Sequence, residues 1–79
     1  MLKLKIVSPE KIVFDGEVES VLVPRTLGSF EILNDHAPII SSLEIGKVEY
    51  TTKEGKQVMN IQGGFVECKK NEVSLCVEV

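Results

Sequence analysis

The sequence predicts an all-β domain, a small two-sheet β-sandwich of about eight to ten short strands. Three observations lead there. Apolar residues make up 43% of the chain and are carried by Val, Ile and Leu, with three Phe, one Tyr and no Trp; β-branched side chains lose rotamer freedom in helices and pack well on pleated sheets. Apolar and polar residues alternate with a period of two in several segments, and no window has the spacing of an amphipathic helix. Turn residues recur about every 8 to 12 positions. A single sheet would leave many of these apolar faces in water, so two packed sheets are expected.

The first strand is marked by Leu2, Leu4 and Ile6 alternating with Lys3 and Lys5, and Ser8-Pro9-Glu10 ends it. Residues 11–14 form a second short run closed by Asp15-Gly16, a strong hairpin signal because glycine accepts positive φ without steric cost. Residues 17–24 then read as a third strand, with Val18, Ser20 and Leu22 on one face and Glu17, Glu19, Val21 and Val23 on the other. Its second half is apolar on both faces, as in a strand covered on both sides or one that binds a partner. Pro24 stops ladder pairing and Leu27-Gly28 turns the chain.

Residues 28–40 depart from plain alternation. They open on Gly28 and place Asn34, Asp35 and His36, the only histidine, directly ahead of Ala37-Pro38. Asn and Asp favour turns by bonding nearby backbone, and Pro38 pushes Ala37 toward an extended conformation. The segment is therefore a short strand, a polar corner and a restart. Residues 39–43 read as a strand or a bend, Ile45-Gly46 as a turn, and residues 47–52 as a strand with Val48 and Tyr50 against Lys47, Glu49 and Thr51. Lys53-Glu54-Gly55-Lys56 makes a hairpin loop and residues 57–62 the return strand. Gly63-Gly64 marks a bulge or the close approach of another backbone.

Residues 65–69 and 72–79 form a last hairpin around Lys70-Asn71, with Val73, Leu75, Val77 and Val79 on one face. A two-residue loop there pairs Lys69 with Glu72 and Cys68 with Val73. Cys68 then lies with Val66, Val73 and Leu75, and Cys76 on the opposite face with Ser74 and Glu78. Cysteines on opposite faces of one hairpin do not meet disulfide geometry, so free thiols in a reducing compartment are expected.

Seventy-nine residues make one domain, residues 1–79. The net charge of -3 and the scattered lysines argue against a phosphate-backbone partner, so no nucleic acid is expected. No apolar run reaches the roughly 18 to 20 residues needed to cross a bilayer, and the start alternates where a signal peptide would be continuously apolar. Asp35-His36 is the sole candidate acid and base pair, but neighbours in extended chain point to opposite sides, so a turn is the better reading. His36, Cys68 and Cys76 do not converge as metal ligands, and Gly63-Gly64 lacks the strand-to-helix context of a phosphate loop. No catalytic, cofactor-binding or metal-binding residue is expected. Binding to another protein remains.

Val21-Leu22-Val23-Pro24, then Gly28-Ser29-Phe30-Glu31-Ile32-Leu33-Asn34-Asp35-His36-Ala37-Pro38-Ile39, then Leu43-Glu44-Ile45-Gly46-Lys47-Val48, then Gly63-Gly64-Phe65-Val66-Glu67 stand in this order. Together they resemble the epsilon subunit of rotary, F-type proton-translocating ATP synthases, over nearly the whole chain. The most specific parts are Ile-Leu-x-x-His-Ala-Pro and Gly-Gly-Phe-Val-Glu. The family usually carries a glycine where Glu31 stands, a proline where Asn34 stands, and a Pro-Gly start to the loop that here begins Pro24-Arg25. Its longer members continue into a pair of C-terminal helices that restrain ATP hydrolysis. This sequence stops at Val79 without that helical hairpin, by nature or as a fragment, and the helices' role is not assigned to these residues.

The resemblance implies a non-catalytic rotor subunit that couples rotation of the c-subunit ring to the gamma subunit of the central stalk. It implies peripheral attachment at the cytoplasmic face of a bacterial inner (plasma) membrane, and no cofactor. By position in the family, Ser29, Glu31 and His36 would form the rim facing the c ring. One broad outer face would meet gamma, with Val21 and Val23 as part of it. Histidine is the side chain that changes charge between about pH 5 and 8, so contact through His36 would depend on pH. The alternative from the residues alone is a small β-barrel that binds a ligand in its mouth.

Overall fold

Leu2, Leu4 and Ile6 do turn inward and Lys3 and Lys5 outward, and this two-residue period organises a fold built entirely from strands. The computed structural model describes residues 1–79. In chain order the strands are β1 (Leu2–Val7), β2 (Ile12–Val18), β3 (Ser20–Arg25), β4 (Gly28–Ile32), β5 (Ile39–Leu43), β6 (Gly46–Thr52), β7 (Gly55–Ile61), β8 (Gly63–Lys69) and β9 (Glu72–Glu78). One sheet has the order β2-β1-β9-β8-β5 and the other β4-β3-β6-β7. Every pairing is antiparallel except that of β1 with β9.

Fifteen buried side chains from both sheets fill the interior, and all are hydrophobic. Each fully buried Val, Leu or Ile contributes about 1.5–3 kcal/mol of transfer free energy, which is what a chain of this size has to offset its ordering entropy. The two sheets remain open at their edges and the space between them is packed with aliphatic groups. The architecture is thus a sandwich, and the closed barrel with a ligand mouth is not formed.

Asp15-Gly16 does not turn the chain. β2 runs straight through it, with Asp15 opposite Lys5 and Gly16 opposite Leu4. The reversal is made earlier, where Ser8 N–H donates to the Lys11 carbonyl at 2.9 Å and the Ser8 hydroxyl accepts from Lys11 N–H at 3.3 Å. Gly16 serves packing instead. A Cβ there would stand 3.2 Å from Cζ of Phe14, whose ring rests on Tyr50 with centroids 4.6 Å apart.

The strand expected over residues 17–24 is two strands in two sheets. The chain leaves the five-stranded sheet at Val18 and enters the other at Ser20, with Glu19 N–H donating to the Thr51 carbonyl at 2.7 Å. The crossing inverts the alternation, so that Val18, Val21 and Val23 all face the core at 0% exposure. The chain crosses again between β4 and β5 and between β5 and β6, and the last crossing, at Gln62, whose N–H donates to the Glu78 carbonyl at 2.6 Å, carries it from β7 to β8. Just beyond it Gly64, at φ +145°, lies against the backbone of β9.

The last hairpin has the expected register, Lys69 opposite Glu72 and Cys68 opposite Val73. Lys70 and Asn71 both take left-handed φ, 52° and 61°, the mirror-image turn whose twist matches the flanking strands. Cys68 is buried, Cys76 is half-buried on the other face, and both are free thiols. Val79 lies beyond the strand and is exposed. The turn between β6 and β7 is shorter than the expected four-residue loop, with Thr52 already paired to Gly55.

Candidate functional site

Strand β4 is an edge strand, paired only with β3. Ile32 on its inner face is buried and Phe30 is half-buried, while Ser29 and Glu31 point outward and are exposed. Across the ladder Ser29 lies opposite Pro24 and Glu31 opposite Leu22. Turn residues Thr26 and Leu27 join the two strands, and the Thr26 hydroxyl donates to a Glu44 carboxylate oxygen. Glu44 N–H donates in turn to the Pro24 carbonyl at 3.0 Å. The hairpin is therefore tied to the link between β5 and β6.

The polar corner after β4 is a turn closed by His36 N–H donating to the Leu33 carbonyl at 3.2 Å. Asp35 holds a left-handed φ of 64°. Its N–H donates to Asn71 Oδ1 at 2.6 Å, and Asn71 Nδ2 donates to Asp35 Oδ1 at 3.3 Å. The corner is thus joined to the β8–β9 hairpin. His36 is half-buried. Its Nδ1 lies 2.7 Å from the Ala37 carbonyl oxygen and donates to it, leaving Nε2 for a partner. The imidazole meets the Phe30 ring edge to face at 5.1 Å, and the Arg25 guanidinium sits 4.7 Å from the centroid of the same ring.

Ser29 and Glu31 thus occupy one side of β4 and His36 the end of the sandwich on the other, so the three share an edge but not a single face. The Asp35 carboxylate and the His36 imidazole are bonded to different partners and form no acid–base pair. Val21 and Val23 belong to the core, and neither presents surface to a partner. Their assignment to an outer face is corrected by the crossing at Glu19, which the alternation of the sequence does not reveal. Arg25, Phe30 and Asn71 were not anticipated. The first two had a signal: a tight turn at Thr26-Leu27 makes Arg25 and Phe30 diagonal neighbours on one face of the hairpin.

A second surface lies on the outside of the five-stranded sheet. Val7, Cys76 and Phe65 stand side by side across β1, β9 and β8, and with Pro9 they line an open, mostly apolar groove of about 440 Å³. Phe65 is 51% exposed and Ile12, paired with Val7, is 56% exposed. Ile40 continues the apolar surface beside Glu67. No group of three or more His, Cys, Asp or Glu is arranged to hold a metal ion. Burial raises the pKa of the Cys68 thiol, which keeps it protonated and unreactive.

The sequence matches the family described as ATP synthase, Delta/Epsilon chain, beta-sandwich domain, over residues 1–79. It is 44% identical to the ATP synthase epsilon chain of Leptospira interrogans over 98% of this chain and 61% of that relative. It is 40% identical to the ATP synthase epsilon chain of Chlorobium limicola, over 96% of this chain and 88% of the relative. A chain in the mitochondrial ATP synthase of Euglena gracilis shares the fold with a TM-score of 0.89 at 20% identity, covering 96% of this chain and 49% of that one. The chain spans about three-fifths of the length of the Leptospira relative. With two open sheets, nine strands and the His-Ala-Pro corner in place, the chain belongs to the ATP synthase delta/epsilon family, as its β-sandwich domain.

Proposed function

We propose that this domain is a non-catalytic rotor element of an ATP synthase, coupling rotation of the c ring to the gamma subunit of the central stalk. The observation that carries the reading is the pair of unlike surfaces on one packed body. A polar edge formed by Ser29, Glu31 and His36 meets the c-subunit loops, and the apolar groove around Val7, Phe65 and Cys76 on the opposite sheet meets gamma. An element that transmits torque needs two attachment sites held at a fixed distance, and a closely packed interior passes strain on instead of absorbing it. The family membership supports the same reading, since the matched relatives are ATP synthase epsilon chains. The domain then works peripherally, at the cytoplasmic face of a bacterial inner membrane.

Purified gamma and this chain, mixed at micromolar concentration, are expected to elute together in size exclusion. Phe65→Glu, which places a charge in the apolar groove, is expected to weaken that complex tenfold or more, on the order of the cost of desolvating a charge at an interface. Absence of a complex with the unmodified chain overturns the gamma assignment. For the other surface, His36→Ala is expected to reduce coupled ATP synthesis between pH 6 and 8. Unchanged assembly and synthesis over that range removes His36 from the contact.

A further inference from the structure

We propose that Asn71, in the hairpin between β8 and β9, is a positioning residue for the rim, setting the geometry in which His36 meets the c ring. The identity of the partner rests on the rotor reading above. The role of Asn71 rests on bonds within this chain.

Asp35 and Asn71 are 36 positions apart and joined twice, Asp35 N–H to Asn71 Oδ1 at 2.6 Å and Asn71 Nδ2 to Asp35 Oδ1 at 3.3 Å. The turn that presents His36 has one backbone bond of its own, His36 N–H to the Leu33 carbonyl at 3.2 Å. Asp35 adopts φ 64° within it, a left-handed conformation that aspartate tolerates more readily than most residues and that still needs neighbouring groups to hold it in one orientation. Asn71 supplies that hold. Because Asp35 immediately precedes His36, the peptide orientation that Asn71 fixes also sets the direction in which the imidazole leaves the backbone.

Asn71 is itself well anchored. It is half-buried, takes φ 61° in the two-residue turn, and its carbonyl accepts Lys3 N–H at 2.8 Å. It therefore ties the start of β1, the last hairpin and the rim corner at one point. The amide group matters because it accepts and donates in the same contact. An aspartate there would accept from Asp35 N–H but set a second carboxylate against the first. A glycine would keep the left-handed turn and lose both bonds.

Asn71→Gly separates turn formation from positioning, and the readouts are local. In the 79-residue chain it is expected to speed hydrogen exchange of the Asp35 amide by about tenfold, the equivalent of one ordinary hydrogen bond, and to shift the His36 ring resonances. Protection of Val66 and Leu75 in the central strands should stay as in the parent chain. Binding to the detergent-solubilised c ring should weaken about five- to tenfold. Asn71→Asp, which sets a second carboxylate against that of Asp35, is expected to displace the His36 resonances from those of the parent chain at neutral pH. Unchanged Asp35 exchange and His36 resonances in Asn71→Gly overturn the positioning role. So do altered resonances with unaltered c-ring affinity, provided that His36→Ala, measured in parallel, does weaken binding. If His36→Ala leaves c-ring affinity unchanged, the rim reading and the partner named here both fall, and the exchange data alone decide whether Asn71 orients the corner.

Discussion

Gly64 and Cys76 stand backbone to backbone: a Cβ on Gly64 would run into the Cys76 carbonyl oxygen and come within 2.8 Å of the Val77 Cα. Neither obstacle is a flexible side chain, and φ +145° is itself a conformation for glycine. Gly64→Ala is expected to cost about 3 kcal/mol or more, among the larger effects of single substitutions. Gly63→Ala meets only the Leu43 carbonyl at 3.7 Å and is expected to cost about 1 kcal/mol or less. Urea unfolding of the two variants, side by side, measures the difference; equal costs would contradict the packing described.

The two thiols should behave differently. Cys68 is 1% exposed and its pKa is raised by burial above the ordinary 9.0. The folded state therefore keeps a proton that the unfolded chain releases. The stability contributed by this thiol is complete below pH 9.0 and is lost as pH rises beyond it. Cys68→Ala is expected to flatten the decline of stability above that pH. A thiol reagent at pH 8 should label Cys76 in the native protein and Cys68 only as the protein unfolds.

Val21 and Leu22 are neighbours with opposite fates, since Val21 is fully buried and Leu22 faces outward beside Glu31 and Glu49. Val21→Ala is expected to cost about 2 kcal/mol, most of the transfer free energy of its methyl groups plus the cavity left behind. Leu22→Ala, at a half-exposed position, is expected to cost under about 1 kcal/mol. Chemical denaturation distinguishes the two, and the reverse order would mean that the chain does not change sheets at Glu19.

Phe30 holds both Arg25 and His36 against its ring. Phe30→Leu removes the ring current that His36 feels and the face on which Arg25 rests, a contact worth about 0.5–1 kcal/mol at an exposed site. The expected result is a displaced His36 ring resonance with little change in the unfolding midpoint. An unmoved resonance would show that the imidazole does not rest on Phe30 in solution.

Much of the fold was legible because alternation reports directly which side of a strand is covered. Leu2, Leu4, Ile6, Val73, Leu75 and Val77 are all where their period places them. The Lys70-Asn71 turn was legible for a related reason, since two residues between complementary strands fix the register on both sides. Asp15-Gly16 misled because a glycine that makes room for the Phe14 ring has the same local sequence as one that turns a chain. The crossing at Glu19 was hidden because an alternation inverted by a change of sheet looks like a strand that is apolar on both sides. The site was less legible than the fold. His36 drew notice as the only histidine, but what orients it, Asn71, comes from a hairpin 35 positions away whose own sequence reads as nothing more than a turn.

The parallel pairing of β1 with β9 places the first and last strands side by side in the middle of the five-stranded sheet. During synthesis, Leu4 and Ile6 therefore wait for Val73 and Leu75 to be made before that sheet can close. Until then the hairpin of β1 and β2 has an open flank, and the β5–β8 pair has no link to it. The two halves of that sheet thus join in one step that needs residues 72–78, and such long-range closure is intrinsically slow. Refolding of the intact chain should accordingly be limited by the docking of residues 72–78, with little protection at β1 before that event.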